Sequence, residues 1–317
     1  MKKALKIVGK ILLGIPIFLI ALLVITGIWN AIAMAGEKDI VKDNPGQFVE
    51  VDGHNMSVYT EGEGDHTIVF LSGWGTESPL YDFKPLWSKL TDDYRIVVIE
   101  KFGYGFSDEI DGERDFDTIL RQDREALEKL GIEGPFVLCP HSLSGLEATL
   151  WAQKYPEEVE GIVGLDMSFG NDPKYKTLRE GKAQKTMTKL NKLVRLSGIN
   201  RPLLMISDNE GLSKEEEKQY IALVCKNQAN DTVARENDAV SAVCDEITAS
   251  PLPDTPTIQY ISADRIDNQD EVKACDEIVA ASKNGKRIDL NCGHYVHQFE
   301  SERIANDMKE FISGLEK

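Results

Sequence analysis

FVLCPHSLSGLEATLWAQKYP, residues 136–156, is the stretch on which the fold turns. Phe136–Cys139 is a short apolar run of strand character, and Leu143–Lys154 has helical spacing. Between them only Pro140, His141 and Ser142 remain. A serine on so tight a strand–turn–helix junction projects its hydroxyl beyond the sheet edge. The amino terminus of the following helix then offers N–H groups to a developing oxyanion. The usual pattern around such a serine is G-x-S-x-G, because the neighbouring backbone packs closely. Here Pro140 and Ser144 occupy the glycine positions. A serine between strand and helix is otherwise an ordinary N-cap, so the reading rests on the surrounding chain.

Outward from this junction, strands and helices alternate. Upstream are a hairpin, Phe48–Val51 and Met56–Thr60 around Asp52-Gly53-His54-Asn55, then a strand at Thr67–Leu71. A helix at Leu80–Leu90, a strand at Arg95–Ile99 and an amphipathic helix at Asp117–Leu130, ended by Gly131, follow. Gly161–Leu165 is the next strand. Such alternation predicts a mainly parallel sheet covered by helices on both faces. Between 169 and 253 the rhythm changes to lysine- and glutamate-rich helical periodicity, at Thr186–Leu196, Ser213–Lys226 and Asp231–Ile247. Strands return at Thr257–Ile261 and Arg287–Leu290, and a helix at Glu302–Leu315 closes the chain. Residues 169–253 read as a helical cap over the carboxyl edge of the sheet, where ligands bind in open α/β sheets. It divides the core into 47–168 and 254–317.

Residues 1–35 read as a transmembrane anchor, and 36–46 as a polar linker. Lys2, Lys3, Lys6 and Lys10 precede an uncharged run from Ile11 to Trp29. As a helix those 19 residues rise about 28 Å, close to the roughly 30 Å hydrocarbon thickness. The lysines place the amino terminus in the cytoplasm and the remainder outside. A cleaved signal peptide is the alternative, since Ala33-Met34-Ala35 resembles an A-x-A site. Either reading exports the domain.

The 317 residues carry a formal net charge of −17. Without the first 36 residues the balance is 32 basic against 53 acidic side chains, or −21. So acidic a surface repels phosphate backbones, which argues against nucleic acid as a partner, and it disfavours docking of the soluble part onto anionic lipid. There is no phosphate loop, no complete dinucleotide fingerprint and no H-E-x-x-H, so no metal or cofactor is implied. Five cysteines allow two readings: five thiols, or the pairs Cys225–Cys244 and Cys275–Cys292 with Cys139 left over.

Four segments together make the chain resemble the α/β-hydrolase superfamily, from about residue 47 to 315. They are LSGWG (71–75), RIVVIEKFGYGFSD (95–108), PHSLSG (140–145) and CGHYVH (292–297), in family order and at family spacing. The match is nearest to the membrane-anchored bacterial branch with a helical cap. The resemblance implies an α/β-hydrolase fold and a nucleophile–histidine–acid relay. Ser142 is then the nucleophile. Among five histidines, His294 is the base, since it follows a strand and a glycine at the sheet edge where Ser142 emerges. His54 and His66 read as solvated, and His141 and His297 as structural. Two acids compete to orient His294. Asp264 follows the strand TIQYIS in the commoner family arrangement. Asp166 ends the strand GIVGL beside that of the nucleophile and is preferred. The main-chain N–H groups of Trp74 and Leu143 would form the oxyanion hole. Ser72 stands where the family has histidine, and backbone donation tolerates that change.

These expectations describe a membrane-tethered serine hydrolase acting on a small-molecule or lipid-like acyl ester. The apolar cap residues Leu190, Leu193, Leu196, Leu203 and Leu204 suit an uncharged acyl chain. Two alternatives stand beside it. A prolyl-aminopeptidase-like enzyme would need Glu210 or Glu236 to hold a substrate's amino group. A catalytically inactive binding module would account for the departures at Ser72, Pro140 and Ser144.

Overall fold

Strands β1 (Gln47–Val51), β2 (His54–Glu61), β3 (Thr67–Leu71), β4 (Arg95–Glu100), β5 (Phe136–Pro140), β6 (Val159–Leu165), β7 (Thr257–Ile261) and β8 (Gly285–Asp289) form one sheet in the order 1-2-4-3-5-6-7-8. The computed structural model describes residues 2–176, 192–206 and 211–315, with side chains from Gly14 onward. β1–β2 and β2–β4 pair antiparallel, and every other pair is parallel. β3, β5 and β7 are buried along their whole length. Strands covered on both faces read as continuous apolar runs, as these do. After β3 the chain steps outward to β4, then returns to β3's other side for β5. That reversal opens a crevice at the carboxyl ends of β3 and β5.

Helices are α1 (Lys2–Gly36), α2 (Pro79–Asp82), α3 (Lys84–Trp87), α4 (Phe116–Lys129), α5 (Ser144–Lys154) and α6 (Pro173–Lys176). Then come α7 (residues 192–197), α8 (Arg201–Ile206), α9 (Lys214–Asn227), α10 (Asp231–Glu236) and α11 (Val240–Ala249). The last are α12 (Gln269–Ala281), α13 (Val296–Phe299) and α14 (Ser301–Ser313). Alternation along β4 sends Val97 and Ile99 to one core and Ile96 and Val98 to the other. α4, α5, α11 and α12 pack on the first face, through residues such as Leu120, Trp151, Val243 and Ile278. α3 and α14 pack on the second, through Leu86, Trp87, Ile304 and Met308.

Several elements differ from expectation, for local reasons. The hairpin turn is two residues, not four: Asp52 and Gly53 both take positive φ, and β2 begins at His54. This is the geometry that matches strand twist. Leu80–Leu90 is split into α2 and α3, because Pro85 has no N–H with which to continue a helix. The helix expected at Asp231–Ile247 is α10 and α11 joined by a 3₁₀ turn, Asn237–Ala239. Most of Thr186–Leu196 lies outside the described residues. Neither proposed disulfide forms: Cys275 packs into the core on one face of the sheet and Cys292 against the other.

Candidate active site

β5 delivers Ser142. Pro140 still pairs with Leu71, His141 makes one bridge to Leu165, and then the chain reverses into α5. Ser142 takes φ 53°, a left-handed conformation that costs a non-glycine residue about 1 kcal/mol or more. Two glycines make room for it. A Cβ on Gly73 would fall 2.8 Å from Ser142 Cβ, and one on Gly145 would fall 2.4 Å from the Ser168 carbonyl oxygen. Ser144 occupies a position that is usually glycine, and its Oγ donates to the carbonyls of Leu71 (2.7 Å) and His141 (2.9 Å). The departure from G-x-S-x-G therefore leaves no orphaned hydroxyl.

His294 arrives on the loop after β8. Its Nε2 lies 2.9 Å from Ser142 Oγ, and its Nδ1 lies 2.5 Å from Asp166 Oδ2. The imidazole side chain is 35% exposed, so the ring is open to solvent, whereas Asp166 is fully buried. Asp166 follows β6 with φ 46°, a second strained residue in the same relay. Its carboxylate accepts from Ser262 N (2.8 Å) and Ser262 Oγ (2.9 Å). Arg265 Nη1 stands 3.8 Å away. These contacts hold the carboxylate in a dry site facing the ring.

Asp264 is not at the imidazole. Its Oδ2 accepts from the His294 main-chain N–H at 3.0 Å. It ties down the loop that carries the histidine and leaves the ring to Asp166. The two acids named from sequence thus take different places around one residue.

Leu143 follows Ser142 and Trp74 follows Gly73, the residue that abuts the Ser142 side chain, and the main-chain N–H groups of both make no hydrogen bond among the described residues. The Trp74 indole donates to the Val233 carbonyl at 2.8 Å, joining the loop after β3 to α10.

Behind Ser142 lies a cluster that the chemistry does not require to be charged. His141 is buried, its Nε2 is 3.3 Å from the His294 carbonyl, and its ring is 4.7 Å from that of His297. Burial, with the neighbouring imidazoles, holds His141 well below the usual histidine pKa, hence neutral. His297 Nε2 bonds Asp82 at 2.8 Å. Asp82, His141 and His297 stand close enough to share an ion, but Asp82 is already bonded to His297 and Gln298. His54 is exposed, and His66 pairs with Glu160 at 2.9 Å.

One support was not anticipated. Lys101 Nζ donates to the Ser72 carbonyl and to Glu147 Oε2, both at 3.1 Å. It braces the loop after β3 from below. The signal available was Glu147, a lone acid in the otherwise apolar LEATLWA of α5.

A family model for the alpha/beta hydrolase fold matches residues 66–196. An uncharacterized protein of Bacillus subtilis, YbdG, is 47% identical over 124 residues, 39% of this chain and 38% of its own length. A pimeloyl-[acyl-carrier protein] methyl ester esterase of Shewanella woodyi is 34% identical over 116 residues, 36% of this chain and 40% of its own. The chain thus spans about two fifths of these curated relatives. Cfl2 from Burkholderia cenocepacia superposes with a TM-score of 0.65 at 20% identity, covering 84% of this chain and 95% of that one. A thermophilic esterase from Thermogutta terrifontis gives 0.62 at 17%, covering 84% and 98%. The parallel sheet with its strand-order reversal, the strained serine after β5 and these likenesses agree: the chain has an α/β-hydrolase fold.

Proposed function

We propose that the protein is a serine hydrolase that cleaves an acyl ester through an acyl-enzyme, tethered by α1 with its hydrolase domain outside the cytoplasm. The observation that carries the reading is the continuous relay Ser142 Oγ–His294–Asp166, at 2.9 and 2.5 Å. Ser142 Oγ attacks the ester carbonyl while His294 Nε2 takes its proton. Asp166, on Nδ1, stabilises the imidazolium that results. The carbonyl oxygen becomes an oxyanion facing the N–H groups of Trp74 and Leu143. Its collapse expels the alcohol, which takes the proton from His294, and leaves the acyl group on Ser142. Water, deprotonated by His294, then attacks the acyl carbon, and the carboxylic acid leaves as Ser142 regains its proton. In our reading α6–α11, the described helices between β6 and β7, form the cap of this site. An ester is favoured because the Shewanella relative is named as a methyl ester esterase.

The peptidase alternative is weakened by Glu236. Its carboxylate is buried and bonded to Arg114 Nη2 at 2.5 Å and Tyr104 OH at 2.6 Å, so both oxygens are already engaged within the fold and the charge is already paired. Glu210 lies outside the described residues. A fluorophosphonate probe tests the proposal. Wild-type full-length protein should be labelled and should hydrolyse p-nitrophenyl acyl esters, and Ser142→Ala should do neither. Folded wild-type protein that resists labelling would favour the binding module.

A further inference from the structure

The carboxyl end of α1 does not project freely from the domain. Asn30, just after the uncharged run of α1, is 3% exposed. Its side chain accepts from Arg201 Nε at 2.8 Å and donates to the Arg195 carbonyl at 3.3 Å. Arg201 also grips Glu37 with both terminal nitrogens, at 2.5 and 2.8 Å. Three residues earlier, a Cβ on Gly27 would lie 3.3 Å from the Leu196 carbonyl oxygen. The backbone between α7 and α8 is therefore pressed against the helix at residues 27–30.

Those positions have a definite depth if α1 spans a bilayer. About 20 helical residues cross the hydrocarbon, so a span entered just after Lys10 leaves it near Asn30. Gly27 then lies at the outer edge of the acyl chains, and so does Leu196. Leu196 is 72% exposed and Ile206 80%, and Leu193 and Met205 are more than half exposed on the same two helices. Such a surface is costly in water and favourable at an acyl boundary.

Charge points the same way. Residues 173–195 carry eight basic side chains and one acid, Glu180. The rest of residues 37–317 carries 24 basic and 52 acidic, or −28. The overall acidity that disfavours anionic lipid thus conceals one strongly basic stretch, running directly into α7. A basic stretch adjoining an apolar helix in the sequence is a pattern found in segments that lie on anionic membranes.

We propose that α7 and α8 are a second membrane contact, seated apolar side down in the anionic leaflet on the side where α1 emerges. The domain is then held by its tether and by this face, in a fixed orientation. The proposal rests on α1 as a membrane span and is independent of the hydrolytic chemistry.

Nitroxide labels on the full chain test it, in a Cys292→Ser background that removes the only cysteine not buried. Labels go on Leu196→Cys and Ile206→Cys, with Ile25→Cys as the span reference and Lys273→Cys as the aqueous one. Lys273 is 77% exposed on α12. In vesicles of phosphatidylcholine with phosphatidylglycerol, collisions with oxygen should exceed those with an aqueous nickel chelate at 196 and 206, as at 25, and the order should reverse at 273. Changing Lys182, Lys185 and Lys189 together to Gln should reduce the oxygen preference at 196 and 206 while leaving 25 unchanged. Labels at 196 and 206 that behave like 273, while 25 remains buried in lipid, overturn the proposal. Indifference to the triple change, or to omission of phosphatidylglycerol, overturns the assignment to anionic lipid. An aqueous reading at 25 removes the span and the proposal with it, but leaves the hydrolase reading standing.

Discussion

Around His294 two carboxylates do different work. Asp166 meets the ring nitrogen, and Asp264 meets the main chain. If the imidazole needs Asp166 to hold its tautomer and to stabilise its charge, Asp166→Asn should lower kcat by about 10⁴. Asp264→Asn keeps an oxygen able to accept the His294 N–H, so its loss should be tenfold at most, on the order of one ordinary hydrogen bond. Steady-state hydrolysis of a p-nitrophenyl ester by both variants separates the roles. Equal losses would mean that Asp166 is not the orienting acid. Both aspartates are visible in the sequence as acids following strands. Which of them faced the ring depended on φ 46° at Asp166 and on the Ser262 donors of the next strand.

α5 shows how an element holds a residue in an unfavourable conformation. The helix starts immediately after Ser142, and its first turn is clamped to neighbouring backbone through Ser144 Oγ and through the closeness of Gly145 to Ser168. Gly145→Ala would place a methyl group 2.4 Å from a carbonyl oxygen. Backbone cannot yield as a flexible side chain does, so α5 must shift and carry the elbow with it. The variant should lose activity by at least a hundredfold, in keeping with the sensitivity of catalytic geometry to displacements of about 1 Å. Its unfolding midpoint should fall as well. By contrast, Ser144→Gly restores the usual motif and removes two side-chain hydrogen bonds, so it should keep activity and lose stability only.

At the scale of the whole molecule, a buried charge network joins the site to the helices inserted between β6 and β7. Lys101 bonds Glu147 and the Ser72 carbonyl, Asp123 lies beside Glu147, and Arg114 joins Glu236 of α10. Burial pushes the Lys101 pKa down, but Glu147, Glu236 and Asp123 outweigh it and hold it above the usual lysine value. Burial, reinforced by Glu147, pushes the Asp123 pKa well above the usual carboxylate range. Lys101→Met leaves Glu147 buried without its partner, which costs about 3–5 kcal/mol, and frees the Ser72 loop. Chemical denaturation should show the loss, and kcat should fall with it. If Asp123 is protonated in the fold, Asp123→Asn replaces one neutral group by another of nearly the same shape and should change stability by less than about 1 kcal/mol. A large loss there would show that Asp123 is ionised.

Periodicity and motif order sufficed for the parallel sheet, for Ser142 at its edge and for His294 on a loop after a late strand, because these depend on neighbours in the chain: an apolar run, a tight turn, a glycine before a histidine. The hairpin and the closing helix were legible for the same reason. Tertiary structure decided everything that required two distant segments to meet. It chose Asp166 over Asp264 for the ring, left the cysteines unpaired by disulfides, placed Lys101 beneath the Ser72 loop and locked Arg201 onto Asn30 and Glu37. Such contacts are made between side chains tens or hundreds of positions apart, set by how strands stack and where loops cross, and no local pattern encodes that distance.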